Sequence, residues 1–242
     1  MSSSGARLGA LLVVFTIACG RDEADRLYFE ALQGDKVGKP CEELIGLVDR
    51  AIALEPDRAS YYQHRAGYRI GLGNLAGAKA DLDRAITLTD QPYLRYERAI
   101  VACKSGRCAD ALPDLDAAIT AQPDNTQFYR VRAIARVAAG MPEKALEDGE
   151  RMVVQMPQHG ESYYARGIAR LALGHGPQAL ADLDTTLKLR PDLVYPLVSR
   201  AEAYQKMGDS ARAAADRAEA ARRSEGDGGC RGCGVCSDPL HP

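Results

Sequence analysis

The chain has 242 residues, with 31 Lys plus Arg against 33 Asp plus Glu and a formal net charge of −2. That balance leaves no single-sign field, which argues against nucleic acid as the partner. There is no Trp, only three Phe beside eleven Tyr, and a high frequency of Ala; small side chains suit closely packed helices, whereas sheets draw on β-branched and aromatic residues.

The first element is a targeting segment. Arg7 precedes an apolar run from Leu8 to Ala18, which has the length of a signal-peptide core and falls short of the roughly 18 residues that span a bilayer. Ala18-Cys19-Gly20 follow, then Arg21-Asp22-Glu23. Ile17-Ala18-Cys19 resembles a bacterial lipoprotein cleavage site. The resemblance implies a signal over residues 1–19, lipid on Cys19, a membrane anchor and a place in the bacterial cell envelope. Cleavage just after Gly20, giving a secreted protein, and an uncleaved segment are the alternatives.

Residues 20–58 are expected to form a degenerate N-terminal capping repeat. They keep the second-helix half of a unit in Leu44, Val48, Ala51 and Ile52, closed by Pro56, with an irregular turn from Gly34 to Pro40. An exported chain permits disulfides, and Cys41 is one of six Cys besides Cys19.

From Ala59 to Arg223 the chain repeats itself. Arg65, Arg98, Arg132, Arg166 and Arg200 each precede a small residue, at spacings of 33, 34, 34 and 34. Eight residues after each Arg stands a Gly: Gly73, Gly106, Gly140, Gly174 and Gly208. Five further on stands an Ala: Ala78, Ala111, Ala145, Ala179 and Ala213. Pro123, Pro157 and Pro191 close units as Pro56 does. Each unit therefore reads as a helix, a tight turn on a left-handed Gly, and a second helix stopped by Pro. The unit bounds are 59–91, 92–125, 126–159, 160–193 and 194–223.

A small-residue pattern of this period resembles the tetratricopeptide repeat (TPR) family. Tyr62, Tyr129 and Tyr163 take the first aromatic place, Ala66, Ala99, Ala133, Gly167 and Ala201 the small place of the first helix, and Ala85 and Ala118 the later small place of the second. Met152 and Thr186 depart from that last place with bulkier side chains. The resemblance implies an all-α, right-handed superhelical α-solenoid of five to six helix-turn-helix units that binds a protein or peptide and is not an enzyme. It also implies a concave groove lined by first-helix places: Tyr93, Tyr96, Ile100, Lys104, Arg130, Ile134, Tyr164, Ile168 and Leu171. The other reading of these aliphatics is packing between units.

Sixteen residues after each repeat Arg stands an Asp: Arg65 and Asp81, Arg98 and Asp114, Arg132 and Asp148, Arg166 and Asp182, Arg200 and Asp216. Five copies of one pair fit a ladder of structural ion pairs, within units or across to the next, rather than five active sites. Buried, such pairs specify register more than they add net stability. Gly71 to Ala76 matches a loose dinucleotide fingerprint, but a helix precedes it where a strand is required. No cofactor is expected.

Cys103 and Cys108 flank the turn at Gly106, and the choice lies between a disulfide and two small apolar residues packed at the turn. Residues 224–242 form a Gly- and Cys-rich tail. In it Cys230, Cys233, Cys236 and His241 offer soft ligands for a metal, or thiols for disulfides or redox work, or no specific role. A small metal-binding or thiol-redox module in that tail is the alternative function.

Overall fold

The computed structural model describes residues 22–226, which hold twelve α-helices, one short 3-10 helix and no strand. The signal segment with Cys19 and the tail with Cys230, Cys233, Cys236 and His241 lie outside the described residues.

The chain divides into two compact units, parted at Asp90 and Gln91. The first holds α1 (22–36), α2 (Cys41–Leu54), α3 (Ala59–Gly71) and α4 (Leu75–Leu88). The second holds α5 (Pro92–Lys104), a 3-10 turn (Cys108–Ala111), α6 (Leu112–Ala121), α7 (Thr126–Ala138), α8 (Pro142–Gln155), α9 (Gly160–Ala172), α10 (Gly176–Leu189), α11 (Tyr195–Lys206) and α12 (Ser210–Gly226). Within each, the helices pair as antiparallel hairpins of the TPR α-solenoid type.

The five expected turn glycines share one geometry. Gly73, Gly106, Gly140, Gly174 and Gly208 have φ between +73° and +82°. At each, the following amide bonds to a carbonyl five residues back, as Asn74 N to Arg69 O (2.8 Å) and Met141 N to Arg136 O (2.8 Å). The glycine amide itself bonds three residues back, as Gly73 N to Ile70 O (2.9 Å). This pair of bonds satisfies the last carbonyls of the first helix, and only glycine takes the left-handed corner without a Cβ clash.

The N-terminal repeat is more complete than its sequence predicts. α1 is a full first helix, with Ala24, Leu27 and Ala31 buried against Leu44, Leu47, Val48 and Ala51 of α2. Its corner glycine is Gly38, φ +77°. The helix lacks the Arg-Ala pair and the glycine at the repeat's place, so the period alone does not find it; spacing of three and four between small apolar residues does.

In the second unit each second helix packs on its own first helix and on the next: α8 on α7 and α9, α10 on α9 and α11. Ala78, Ala111, Ala145, Ala179 and Ala213 are all fully buried in their units. The bulky departures are accommodated by exchange. Where other units carry Leu82, Leu115 and Leu183, this one has Gly149, and three residues on Met152 replaces Ala. Met152 is fully buried. Gly149 in turn lets α8 close on α9, where a Cβ would meet the Arg166 Cα at 2.5 Å. Thr186 is fully buried as well, and its hydroxyl donates to Gly160 O (3.2 Å) and Asp182 O (3.0 Å).

Candidate partner-binding face

The ion pairs brace the hairpins of each unit. All five are two-pronged: Arg Nε meets one Asp oxygen and Nη2 the other, at 3.0 and 2.6 Å for Arg65–Asp81 and 2.7 and 2.6 Å for Arg98–Asp114. The same bonds are 2.9 and 2.9 Å for Arg132–Asp148, 3.0 and 2.7 Å for Arg166–Asp182, and 2.8 and 2.7 Å for Arg200–Asp216. All five carboxylates are buried. Planar forks suit the guanidinium and the carboxylate, and each fixes the angle of its hairpin. The Asp182 bond pushes the Arg166 guanidinium's pKa up, and the Asp216 bond does the same for Arg200.

Three of these arginines also reach back sixteen residues to the preceding second helix. Arg65 bonds Asp49 (2.5 Å), Arg132 bonds Asp116 (2.7 Å) and Arg200 bonds Asp184 (2.7 Å). One guanidinium thus clasps two second helices from the first helix between them. At Arg98 and Arg166 the place sixteen back is Leu82 and Glu150. The aromatic place belongs to the same device: guanidinium carbons lie 5.5 Å from the Tyr62 ring centre for Arg65, 5.3 Å from Tyr129 for Arg132 and 5.7 Å from Tyr163 for Arg166.

A second arginine escapes the sequence reading. Arg69 (2.7 Å) and Arg170 (2.8 Å) bond the buried Asp of their units, as Arg136 does Asp148. Each stands four residues after the ladder Arg, one helical turn on, and that recurrence was the available signal.

The nine expected groove residues all lie in the second unit, on α5, α7 and α9, first helices that pack on one another in order. Their exposure narrows the groove. Tyr93 is 50% exposed, and Lys104, Ile134 and Ile168 are half-buried. Tyr96, Ile100, Arg130, Tyr164 and Leu171 are buried. The Tyr96 ring lies 5.3 Å from both Tyr93 and Phe128. Arg130 sits 4.8 Å over the Tyr195 ring and donates Nε to Gln127 Oε1 (3.1 Å). Tyr164 meets Tyr195 edge-on at 4.5 Å and shares a 3.2 Å hydrogen bond with Ser199. First helices face a partner and their neighbours with overlapping residues, so the large side chains counted as lining are also packing.

Beside this face runs a polar network that the spacing did not reveal. The buried Glu161 carboxylate accepts from Gln127 Nε2 (3.1 Å) and Arg190 Nη1 (2.9 Å), while Arg190 forks onto Asp192 (3.0 and 2.7 Å). The buried Glu161 carboxylate holds the half-buried Gln127 in one arrangement, so α7 and α9 present a fixed surface.

His159 and His175 are exposed residues just before α9 and α10. His64 Nδ1 pairs with Tyr28 Oη at 2.8 Å. Among the described residues no three His, Cys, Asp or Glu side chains group as metal ligands, and no helix is long and apolar enough to cross a membrane.

A tetratricopeptide repeat family model matches residues 96–159. Tetratricopeptide repeat protein 36 of Mus musculus is 55% identical over 40 residues, 16% of this chain; the chain spans 22% of that relative's length. The crystal structure of a tetratricopeptide repeat protein from Parabacteroides merdae ATCC 43184 is similar with a TM-score of 0.68 at 16% identity, over 84% of this chain and 80% of that one. YrrB, a TPR protein with an unusual peptide-binding site, is similar with a TM-score of 0.56 at 22% identity, over 71% of this chain and 88% of its own.

Proposed function

We propose that this chain is an exported, lipid-anchored TPR scaffold that grips a protein or peptide partner along the first-helix face of residues 91–226. The observation that carries the reading is the row of first helices α5, α7 and α9. There, part-open Tyr93, Ile134 and Ile168 stand on backbones fixed by two-pronged ion pairs and the Glu161 network. Rigid aromatic and aliphatic anchors on a prearranged frame suit an extended peptide or a partner helix, because little ordering remains to be done on binding. The peptide-binding site of YrrB, on the same fold, supports the class of ligand and not its sequence. Lipid on Cys19 would hold the stack within a few residues of a membrane, which makes it an adaptor for envelope partners.

The test is a pull-down from detergent-solubilised membranes with wild type and the Tyr93→Ala, Ile168→Ala double variant. Selective loss of a partner from the variant, with its helix content intact, is expected; equal recovery of every partner refutes the face. Cys19→Ser reports separately on the anchor: the chain moves from the membrane to the soluble fraction, and unchanged partition refutes tethering.

A further inference from the structure

One corner departs from the rest. At four turns the second helix starts directly as an α-helix, and the buried alanine's amide bonds four residues back. These bonds are Ala78 N to Asn74 O (3.0 Å), Ala145 N to Met141 O (3.2 Å), Ala179 N to His175 O (2.9 Å) and Ala213 N to Asp209 O (3.1 Å). At the turn of Gly106 the chain instead makes a 3-10 turn over Cys108–Ala111, with Asp110 N bonding Arg107 O at 3.0 Å. Helix α6 begins only at Leu112, and it runs for 10 residues where α4, α8 and α10 run for 14.

The cause is Pro113. In the repeat's register the second helix would begin at Cys108, which places Pro113 inside it. There it has no amide to give to Ala109 O, and its ring collides with that carbonyl. Arg107 brings no side-chain cap to the turn, as Met141 and His175 bring none to α8 and α10, whereas Asn74 caps α4 by accepting from Gly77 N (2.9 Å). Across this corner, whose second helix starts late, runs a disulfide between Cys103 and Cys108, with a Cα separation of 4.0 Å. The bridge joins the last turn of α5 to the first residue of the 3-10 turn, around Gly106 at φ +73°.

We propose that the Cys103–Cys108 disulfide is a redox-operated latch on the α5–α6 corner, opened by a small-molecule or protein dithiol. Its opening is a two-electron exchange. A thiolate of the dithiol attacks one sulfur, the Cys103–Cys108 bond breaks, and the second thiol of the reductant closes its own disulfide. Both protein sulfurs leave as thiolates and take up the two protons that the dithiol released. Both cysteines are half-buried rather than sealed in the core, so a reductant has access. With the bridge gone, the corner keeps its glycine bonds, but residues 107–110 lack the α-helical start that follows the other corners and fray locally. The buried Ala111 and α6 beyond it stay packed. The corner adjoins Lys104, the groove residue at the end of α5. The latch itself stands whether or not the first-helix face binds a partner.

Hydrogen exchange read by mass spectrometry on the full chain tests this, with dithiothreitol as the reductant and alkylation to count opened thiols. Reduction should lower protection of amides 104–113 on the order of tenfold, with α7 to α10 unchanged. A Cys103→Ser, Cys108→Ser variant should exchange fast at this corner with or without dithiothreitol, which separates the latch from the chain's other cysteines. Pro113→Ala, which restores an amide, should shrink the effect of reduction. Equal protection of the corner in oxidised and reduced protein overturns the proposal, as does loss spread evenly over α5–α12. A bridge that dithiothreitol leaves intact, or an effect of dithiothreitol on 104–113 that persists in the double variant, overturns it too.

Discussion

Replacing Gly149 by Ala sets two effects of opposite sign against each other. Gly149 lies inside α8, and Ala in place of Gly within a helix stabilises by about 1 kcal/mol through backbone entropy. The added methyl, however, falls 2.5 Å from Arg166 Cα, 2.6 Å from its N and 2.8 Å from its Cβ. Those are backbone atoms and the first side-chain carbon of α9, so no rotamer change relieves them and the two helices must part. Forced overpacking costs about 1–3 kcal/mol, and contact with backbone belongs at the upper end. Parting α8 from α9 also loosens Met152 and the Arg166–Asp182 fork. The net expectation is a loss of about 2 kcal/mol, seen as a lower midpoint in urea denaturation followed by circular dichroism. Gly46→Ala is the matched control: Gly46 lies inside α2, exposed, with nothing within 4 Å of the new methyl. That variant should gain up to about 1 kcal/mol. If Gly149→Ala were as stable as wild type or more so, the close approach of α8 to α9 would be wrong.

The remaining predictions concern the corners, the clasps and the tyrosines. Gly140→Ala meets no neighbour within 4 Å but must hold φ at +73°, so thermal denaturation should show a loss of about 1–2 kcal/mol from backbone strain alone. Arg132→Met should lower the melting temperature clearly, because it leaves the buried Asp148 with Arg136 alone; a comparable loss of a buried partner costs about 3–5 kcal/mol. Asp116→Ala, removing the exposed end of the same clasp, should cost no more than about 1 kcal/mol, and equal effects would refute the distinction. Burial, then the Asp25 carboxylate, pushes the Tyr61 hydroxyl up to about 12; burial, then Asp35, does the same for Tyr68. A proton held more tightly in the folded state than at the ordinary value near 10 gives stability that is complete below pH 10 and lost as pH rises through 12. Denaturation between pH 9 and 12 should show that fall, and Tyr68→Phe should lessen it.

The repeat itself was open to reading because its residues answer to one physical demand apiece. A left-handed corner needs Gly73, Gly140 and their equivalents, a close helix contact needs Ala78 and its equivalents, and these recur at a fixed period. The sixteen-residue spacing likewise placed Arg132 beside Asp148. What stayed hidden depends on neighbours rather than on period. Gly149 and Met152 make sense only as a pair against Arg166, and α1 is a first helix without the marks of one. Glu161 and Gln127 hold the same place one period apart, but the Arg190 that completes their network follows α10 off that register, so the period does not announce it. The groove was over-read for a related reason: the resemblance assigns Tyr96, Arg130 and Tyr164 to a lining, and the amount of each ring or guanidinium left uncovered is settled by the adjoining helix.

An arginine that clasps aspartates sixteen places before and sixteen places after it carries its address in relative, not absolute, numbering. Excising residues 126–159, one whole period, would bring Arg166 into the seat of Arg132 and set it opposite Asp116, where it now has only Glu150 sixteen places back. A cut in whole periods therefore keeps every fork to the aspartate sixteen places on. It completes the backward bond where Asp49, Asp116 or Asp184 stands before the seam, while a cut one residue out of phase turns the guanidinium away from the backward acid. Lineages can lengthen or shorten such a protein by recombination and keep a working frame at every step, which leaves reach adjustable while the joints are preserved.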